Sequence, residues 1–288
     1  MCELLKPLYE ELKTEVLDTD YIQVDETTLP VIDKESHQAK KEYLWVVRSV
    51  MKKLVFFHYD EGSRSQSTVV SLLESYKGYL QSDGYNAYNV FDNKEQVCLV
   101  GCMAHIRRKY ENALNENQAL AQYALGEIQQ LYRIEQMAEE RKLSFKERAQ
   151  LRTKLAEPII LSLEKWMEKT YSTVLPKSLM GQATAYSYSI WPRMKHYLKE
   201  GRLIIDNNLA YHNFSVIKTS RLEGLIFKHI RPGSLDNNKV ISCISQRLRP
   251  NLRFQGAAIS WADYLPLRQP FSQWLPAFAG QSLSDRLT

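Results

Sequence analysis

The chain has 288 residues, 44% of them hydrophobic and 25% charged, with a net charge of +5. This is ordinary for a soluble globular protein of one large domain, or of a domain carrying a sizeable insertion. No apolar run approaches the roughly 20 residues of a membrane helix, and the acidic, mixed start Met1-Cys2-Glu3-Leu4-Leu5-Lys6-Pro7 is not a secretory signal. The mildly basic charge permits a nucleic-acid partner without demanding one. Cys2, Cys98, Cys102 and Cys243 form no short-spaced pairs of zinc type. Cys98 and Cys102 could face each other on a helix, but they read as small buried apolar residues in a reducing compartment, the cytoplasm.

In chain order, Leu4, Leu5, Leu8, Leu12 and Val16 recur at helical spacing, so residues 1–20 read as an N-terminal helix. Tyr21 to Val31 follows as a β-strand, favoured by Tyr21, Val24, Thr27 and Thr28 and ended near Pro30. Asp25 stands in it where another apolar residue is expected. A half-buried carboxylate costs free energy unless something cationic meets it, so Asp25 calls for an Arg or Lys, a set of backbone donors, or a metal ion. Tyr43 to Val50 and Leu54 to Tyr59 are further β-branched and aromatic runs joined by short polar links, the pattern of an antiparallel meander. Ser67 to Tyr76 has helical spacing. Gly78 to Tyr85 reads as a short buried strand ending in an acidic turn, Ala87 to Phe91 as a helix, and Val97 to Cys102 as another strand. Met103 to Tyr110 reads as the first turns of a helix.

From Asn112 the strand signals vanish. Residues 112–199 read as an all-helical insertion with stripes through Leu120–Ile134, Phe145–Ile159 and Ile160–Met167. Breaks are expected at Pro158, Pro176 and Gly181, with a fresh start at Pro192. Asp206-Asn207-Asn208 is a plausible helix start. Beyond Tyr211 no amphipathic period is sustained, and Leu265 to Thr288 reads as loosely ordered. The organisation is therefore a core in two parts, 21–111 and 200–288, around the insertion.

Asp25 and Asp83 are the carboxylates that could carry chemistry. Adjacent strands lie about 5 Å apart, so two strand-borne acids can share a divalent ion. On spacing alone, a strand-end carboxylate and an ordinary Asp-Gly turn explain them as well. His105-Ile106-Arg107-Arg108-Lys109 is a basic cluster at a helix start. It could hold a phosphate backbone without reading sequence, or be a solvated helix face. Trp45, Trp166 and Trp191 read as packing.

Four pieces, Val24-Asp25-Glu26-Thr27-Thr28-Leu29-Pro30-Val31, Ser82-Asp83-Gly84-Tyr85-Asn86-Ala87-Tyr88, Cys102-Met103-Ala104-His105-Ile106-Arg107-Arg108-Lys109-Tyr110, and Gly201-Arg202 with Ile205-Asp206-Asn207-Asn208-Leu209-Ala210, stand in a telling order. Together they resemble the catalytic half of a bacterial insertion-sequence-66 family transposase. No one piece is specific; the combination is. The resemblance implies an α/β, ribonuclease-H-like mixed sheet with flanking helices, interrupted by the helical insertion. It implies an Asp-Asp-Glu site holding two magnesium ions, with Asp25 as the first acid and Asp83 as the second. Water, then a freed 3′ hydroxyl, would attack a DNA phosphodiester. Transposon-end and target DNA are the implied partners, with a homo-oligomer when active and no membrane. A strand of this kind so near residue 1 suggests a chain that starts where an upstream domain ends.

The third acid should follow Ala210 directly, but Tyr211 stands there, and the basic and aromatic run expected after it is missing. A change of reading frame after residue 210 would account for both. Glu223 is a poor substitute, roughly 18 Å further along a helix axis. The expectation is an impaired enzyme of DNA transposition. The alternative is a catalytically inactive DNA-binding or partner-binding remnant of the same fold. An unrelated metal-dependent nuclease is a weaker third reading.

Overall fold

The structure, a computed structural model, describes residues 2–32 and 38–210, which all lie within one compact unit. The stretch from Tyr211 onward, on which the expectations about Tyr211, Glu223 and the tail fall, lies outside the described residues. Helix α1 (Cys2–Leu17) leads into strands β1 (Tyr21–Ile32), β2 (Ala39–Ser49) and β3 (Leu54–His58). Helix α2 (Gln66–Leu72), strand β4 (Gly78–Gln81), a 3-10 turn (Asn86–Phe91) and strand β5 (Val97–Val100) follow. Five strands form one sheet in the order β3-β2-β1-β4-β5. The expected meander is present: β1 pairs antiparallel with β2, and β2 with β3. Strands β4 and β5 are parallel to β1 and to each other respectively.

Side-chain alternation along β1 explains why both faces of the sheet are covered. Ile22 and Val24 join Trp45, Val47, Phe56 and Leu80 under α1 and α2, where Tyr9 meets Phe56 edge-on at 5.9 Å. Tyr21, on the opposite face, packs under helices from the second half of the chain. Glycine is required at the start of β4. Gly78 has φ +126°, and a Cβ there would lie 2.5 Å from the Asp20 carbonyl oxygen.

That second layer is α3 (Met103–Ala113), α4 (Gln118–Glu140), α5 (Phe145–Leu151), α6 (Glu157–Tyr171) and α7 (Leu179–Lys199). Three expected breaks fall differently. Pro158 does not interrupt the chain direction, because a π turn at Arg152–Ala156 joins α5 to α6 immediately before it. A proline lacks the N–H donor and crowds the carbonyl four residues back, and a π turn has already shifted that ladder. Gly181 lies inside α7, where its N–H is capped by the Ser178 hydroxyl at 2.9 Å. Pro192 is carried within α7 rather than restarting it. Helix α2 ends at Leu72, short of Tyr76, whose hydroxyl donates to the Tyr79 carbonyl at the start of the sheet's next strand. Cys98 lies on β5 and Cys102 caps α3, so the two do not share a helix.

One buried charge pair ties this layer together. Arg152 is 0% exposed, and all five of its N–H donors are used. Nε and Nη2 donate to the Glu135 carboxylate at 2.8 and 2.7 Å. Nη1 donates to the carbonyls of Tyr197 and Glu200 at 2.8 and 3.0 Å, and Nη2 to that of Leu203 at 2.8 Å. The guanidinium thus fastens α4 and the π turn to the chain that leaves α7, which runs on toward Asp206.

Candidate active site

The ladder between β1 and β4 pairs Gln23 with Gln81. Asp25 and Asp83 each stand two residues further on. By alternation Asp25 belongs to the face that carries Tyr21 and Gln23, whereas Asp83 lies past the last residue of β4, where its Oδ1 accepts the Tyr85 N–H at 3.0 Å. Asp83 leaves β4 beside the part of β1 that carries Asp25, close enough for its charge to act on the Asp25 carboxyl. Arg107 and the other residues of the basic cluster lie on α3, above this same face.

A buried polar lattice sets the floor beneath the acids. Tyr21 donates its hydroxyl to Gln81 Oε1 at 2.6 Å and accepts the Ile204 N–H at 3.0 Å. Gln23 Nε2 donates to Gln81 Oε1 at 2.8 Å and to the Asp206 carbonyl at 3.0 Å. Gln81 Nε2 donates to the carbonyls of Gly101 and Ile204 at 3.0 and 2.8 Å. The segment from Ile204 is therefore fixed against β1 and β4, and it crosses the sheet until Ala210 packs among Leu29, Leu44, Val46 and Phe57. Asp206 starts a helical turn at Asn208, as its sequence suggests: its Oδ1 accepts the Asn208 N–H at 3.0 Å. Its other oxygen accepts from Tyr132 at 2.7 Å. Buried networks of this kind fix one arrangement of the chain, although here the Gln23 Oε1 is left without a partner.

The cationic partner that the sequence calls for goes to the neighbouring residue. Arg64 donates from Nε and Nη2 to Glu26 at 2.8 and 2.6 Å, and Tyr88 donates to the other oxygen at 3.3 Å. Asp25 is 6% exposed and accepts the Glu26 N–H at 2.9 Å. Burial, reinforced by the negative charges of Glu26 and Asp83, pushes the Asp25 carboxyl up to about 8, with Arg108 opposing. Among the described residues, no three His, Cys, Asp or Glu side chains form a metal-holding group. The position expected to supply the third acid, residue 211, lies outside them.

The basic cluster divides. His105, Arg108 and Lys109 line a cavity of about 320 Å³ together with Asp83, Gly84, Arg64, Tyr85, Asn112 and Tyr186. Arg107 turns instead to Glu111, one helical turn on, at 3.0 Å. Burial holds the His105 imidazole below its usual range, so it is neutral at pH 7. Lys109 sits 5.3 Å from the Tyr186 ring centre, and Arg64 lies 4.0 Å above Tyr85. Sequence reasoning left out Arg64, Glu26, Tyr85, Asn112 and Tyr186. Glu26 and Tyr85 were reachable, standing one and two residues from the two aspartates. Tyr186 gave no signal, since it arrives on α7 from a hundred residues away.

Comparison with known proteins comes down on the same side as the motifs. A family model described as the transposase IS66 family matches residues 1–233. The matched span thus continues past Ala210, where the motifs quoted from the sequence stop. Among curated relatives from Sinorhizobium fredii (strain NBRC 101917 / NGR234), "Uncharacterized protein y4qI" is 28% identical over 221 residues, covering 72% of this chain and 40% of the relative. "Uncharacterized protein y4jD" is 24% identical over 243 residues, covering 80% of this chain and 47% of the relative. The chain therefore spans less than half the length of these relatives.

Proposed function

The chain belongs to the IS66 family of transposases, and from that premise we propose that it carries part of a metal-dependent site for DNA transposition, cleaving and joining phosphodiesters at transposon ends. The observation that supports this reading is the nearness of Asp83, just past the end of β4, to Asp25 on the neighbouring parallel strand β1, where its charge helps raise the Asp25 carboxyl. The strand order β3-β2-β1-β4-β5, antiparallel in its first part and parallel in its second, supports a ribonuclease-H-like core around that pair.

The donor set fits a hard divalent cation. Two carboxylates offer only oxygen, as Mg²⁺ prefers, and the cost of burying Asp25 beside Glu26 and Asp83 is what a bound cation relieves. Asp25 and Asp83 are the residues that would hold Mg²⁺, which when bound activates the attacking hydroxyl and steadies the leaving oxygen in phosphoryl transfer. The chain's own groups do the rest. Arg64 neutralises Glu26, which leaves Asp25 and Asp83 as the acids available to the cation. Arg108 and Lys109 present exposed cations that hold DNA phosphates and orient the strand over the acids. The polar lattice through Gln23 and Gln81 keeps the two strand ends at fixed separation. His105, neutral at pH 7, adds no charge that would compete for the acids.

The activity is expected to be weak, because Tyr211 stands where the family's third acid belongs. Losing one metal-holding acid costs orders of magnitude in rate. The same tyrosine favours the second reading, a DNA-binding chain without chemistry. Incubation with inverted-repeat transposon-end DNA and Mg²⁺, compared with Asp25→Asn, separates the two. Slow nicking that the substitution abolishes supports the enzyme reading. Salt-sensitive DNA binding with no Mg²⁺-dependent nicking selects the inactive one. Nicking at equal rates on DNA without transposon ends would instead point to a general nuclease. The frame change is tested separately, by translating the gene's other frames beyond codon 210 and looking for a glutamate at the next codon.

A further inference from the structure

We infer that the cavity beside Asp83 is a pocket for a single unpaired nucleotide of the DNA strand. This rests on the DNA reading above and deepens it by naming the form of DNA that the site recognises. Phosphates of a paired duplex need only cations on an open surface. This site is a hollow of about 320 Å³ with two tyrosine rings in its wall. That volume is at the small end of pockets that enclose a ligand, suited to one base and its sugar-phosphate rather than to a duplex edge.

The lining provides what an unpaired nucleotide offers for recognition. Tyr186 supplies an aromatic ring, and the Arg64 guanidinium stacked 4.0 Å above Tyr85 a planar cation, surfaces on which bases stack without regard to sequence. Arg108 and Lys109 stand at the exposed rim for the phosphate, and Asn112 brings an amide donor and acceptor for a base edge. The walls are held in place before any ligand arrives. The Tyr186 hydroxyl accepts the Gly84 N–H at 3.1 Å. A Cβ on Gly84 would lie 2.7 Å from that ring, so the glycine is what lets the ring close on the strand end. Tyr85 donates to the Arg64 carbonyl at 2.8 Å, under the guanidinium that Glu26 already anchors. Rings fixed in this way lose little freedom on binding. Because Asp83 itself lines the hollow, the captured nucleotide would flank the phosphate presented to the acids.

The test uses the full chain in EDTA, so that no chemistry occurs, at one fixed salt concentration. Two probes are compared: a fully paired duplex, and the same duplex with a short single-stranded arm bearing 2-aminopurine at its first unpaired position. The armed probe is expected to bind about tenfold more tightly, with quenched fluorescence as the base stacks on tyrosine. Tyr186→Leu should bring the two probes to near parity, read as the ratio of their affinities. Asn112→Ala, at an exposed position, should weaken the preference in the same direction without risk to folding. Equal affinity for both probes, or a preference that survives both substitutions, overturns the pocket and leaves the DNA reading standing. Displacement of the armed probe by micromolar thymidine monophosphate would assign the hollow to free nucleotides and also overturn it. No binding of either probe would remove the DNA reading together with the pocket.

Discussion

Two buried sets of charge lie on the same side of the sheet and are built on opposite terms. At Arg152 every donor is matched: Glu135 takes two N–H groups and three carbonyls take the rest. Where β1 passes the end of β4, Arg64 goes to Glu26, and Asp25 is raised by burial and by its neighbours Glu26 and Asp83. The first arrangement fixes the fold. The second stores an electrostatic cost that a cation can relieve. The contrast teaches that burial of charge is not itself the mark of a site; a mismatch in its pairing is the better guide.

The comparison breaks most visibly at the matched pair. Glu135→Ala leaves a guanidinium buried without its counter-charge, and it should destabilise the chain by about 3–5 kcal/mol in urea unfolding. Replacing both partners by apolar residues of similar volume should cost much less, because no charge is then stranded.

At the unmatched pair the sign reverses and depends on pH. The Asp25 carboxyl titrates near 3.8 in an exposed chain and near 8 in the fold. Between these values the folded form holds the extra proton, so stability falls as pH rises and the loss is complete above about 8. Asp25→Asn removes that loss. In EDTA the variant should match the wild type near pH 4 and melt at a higher temperature near pH 9. The difference is bounded by a value on the order of 5 kcal/mol. A variant equally or less stable at both pH values would show that Asp25 bears no such cost.

A smaller effect belongs to Gly84→Ala. Its methyl group would meet Tyr186 and Ile190, and overpacking of this kind costs about 1–3 kcal/mol. Thermal melting against the wild type measures it. The smallest effect is at the surface. Arg107→Ala loses the half-exposed pair with Glu111 and should change stability by no more than about 0.5 kcal/mol.

How far the sequence could be read follows from where each constraint resides. The meander β1-β2-β3 was legible because its β-branched runs are contiguous and short-linked. Asp25 stood out because a carboxylate inside an apolar strand is anomalous, whereas Asp83 stands in a turn, its Oδ1 accepting the Tyr85 N–H, and was singled out by the family motif alone. The proline positions misled, because Pro158 follows a π turn and Pro192 is held within a long packed helix; tertiary packing overrides the local penalty. Arg152 and Glu135 were hidden inside ordinary helical charge patterns, since nothing local distinguishes a buried ion pair from a solvated one. The cavity was only half legible. His105, Arg108 and Lys109 stand in one motif, whereas Tyr186 and Arg64 reach it through long-range folding.

The central claim is that Asp25 and Asp83 together hold a divalent cation. Titrating Mn²⁺ into the metal-free chain at pH 8, read by the shift in melting temperature, tests it most directly. The account predicts a saturable stabilisation in the wild type that is lost in both Asp25→Asn and Asp83→Asn. A stabilisation of equal size in all three proteins, or none in the wild type, would contradict it.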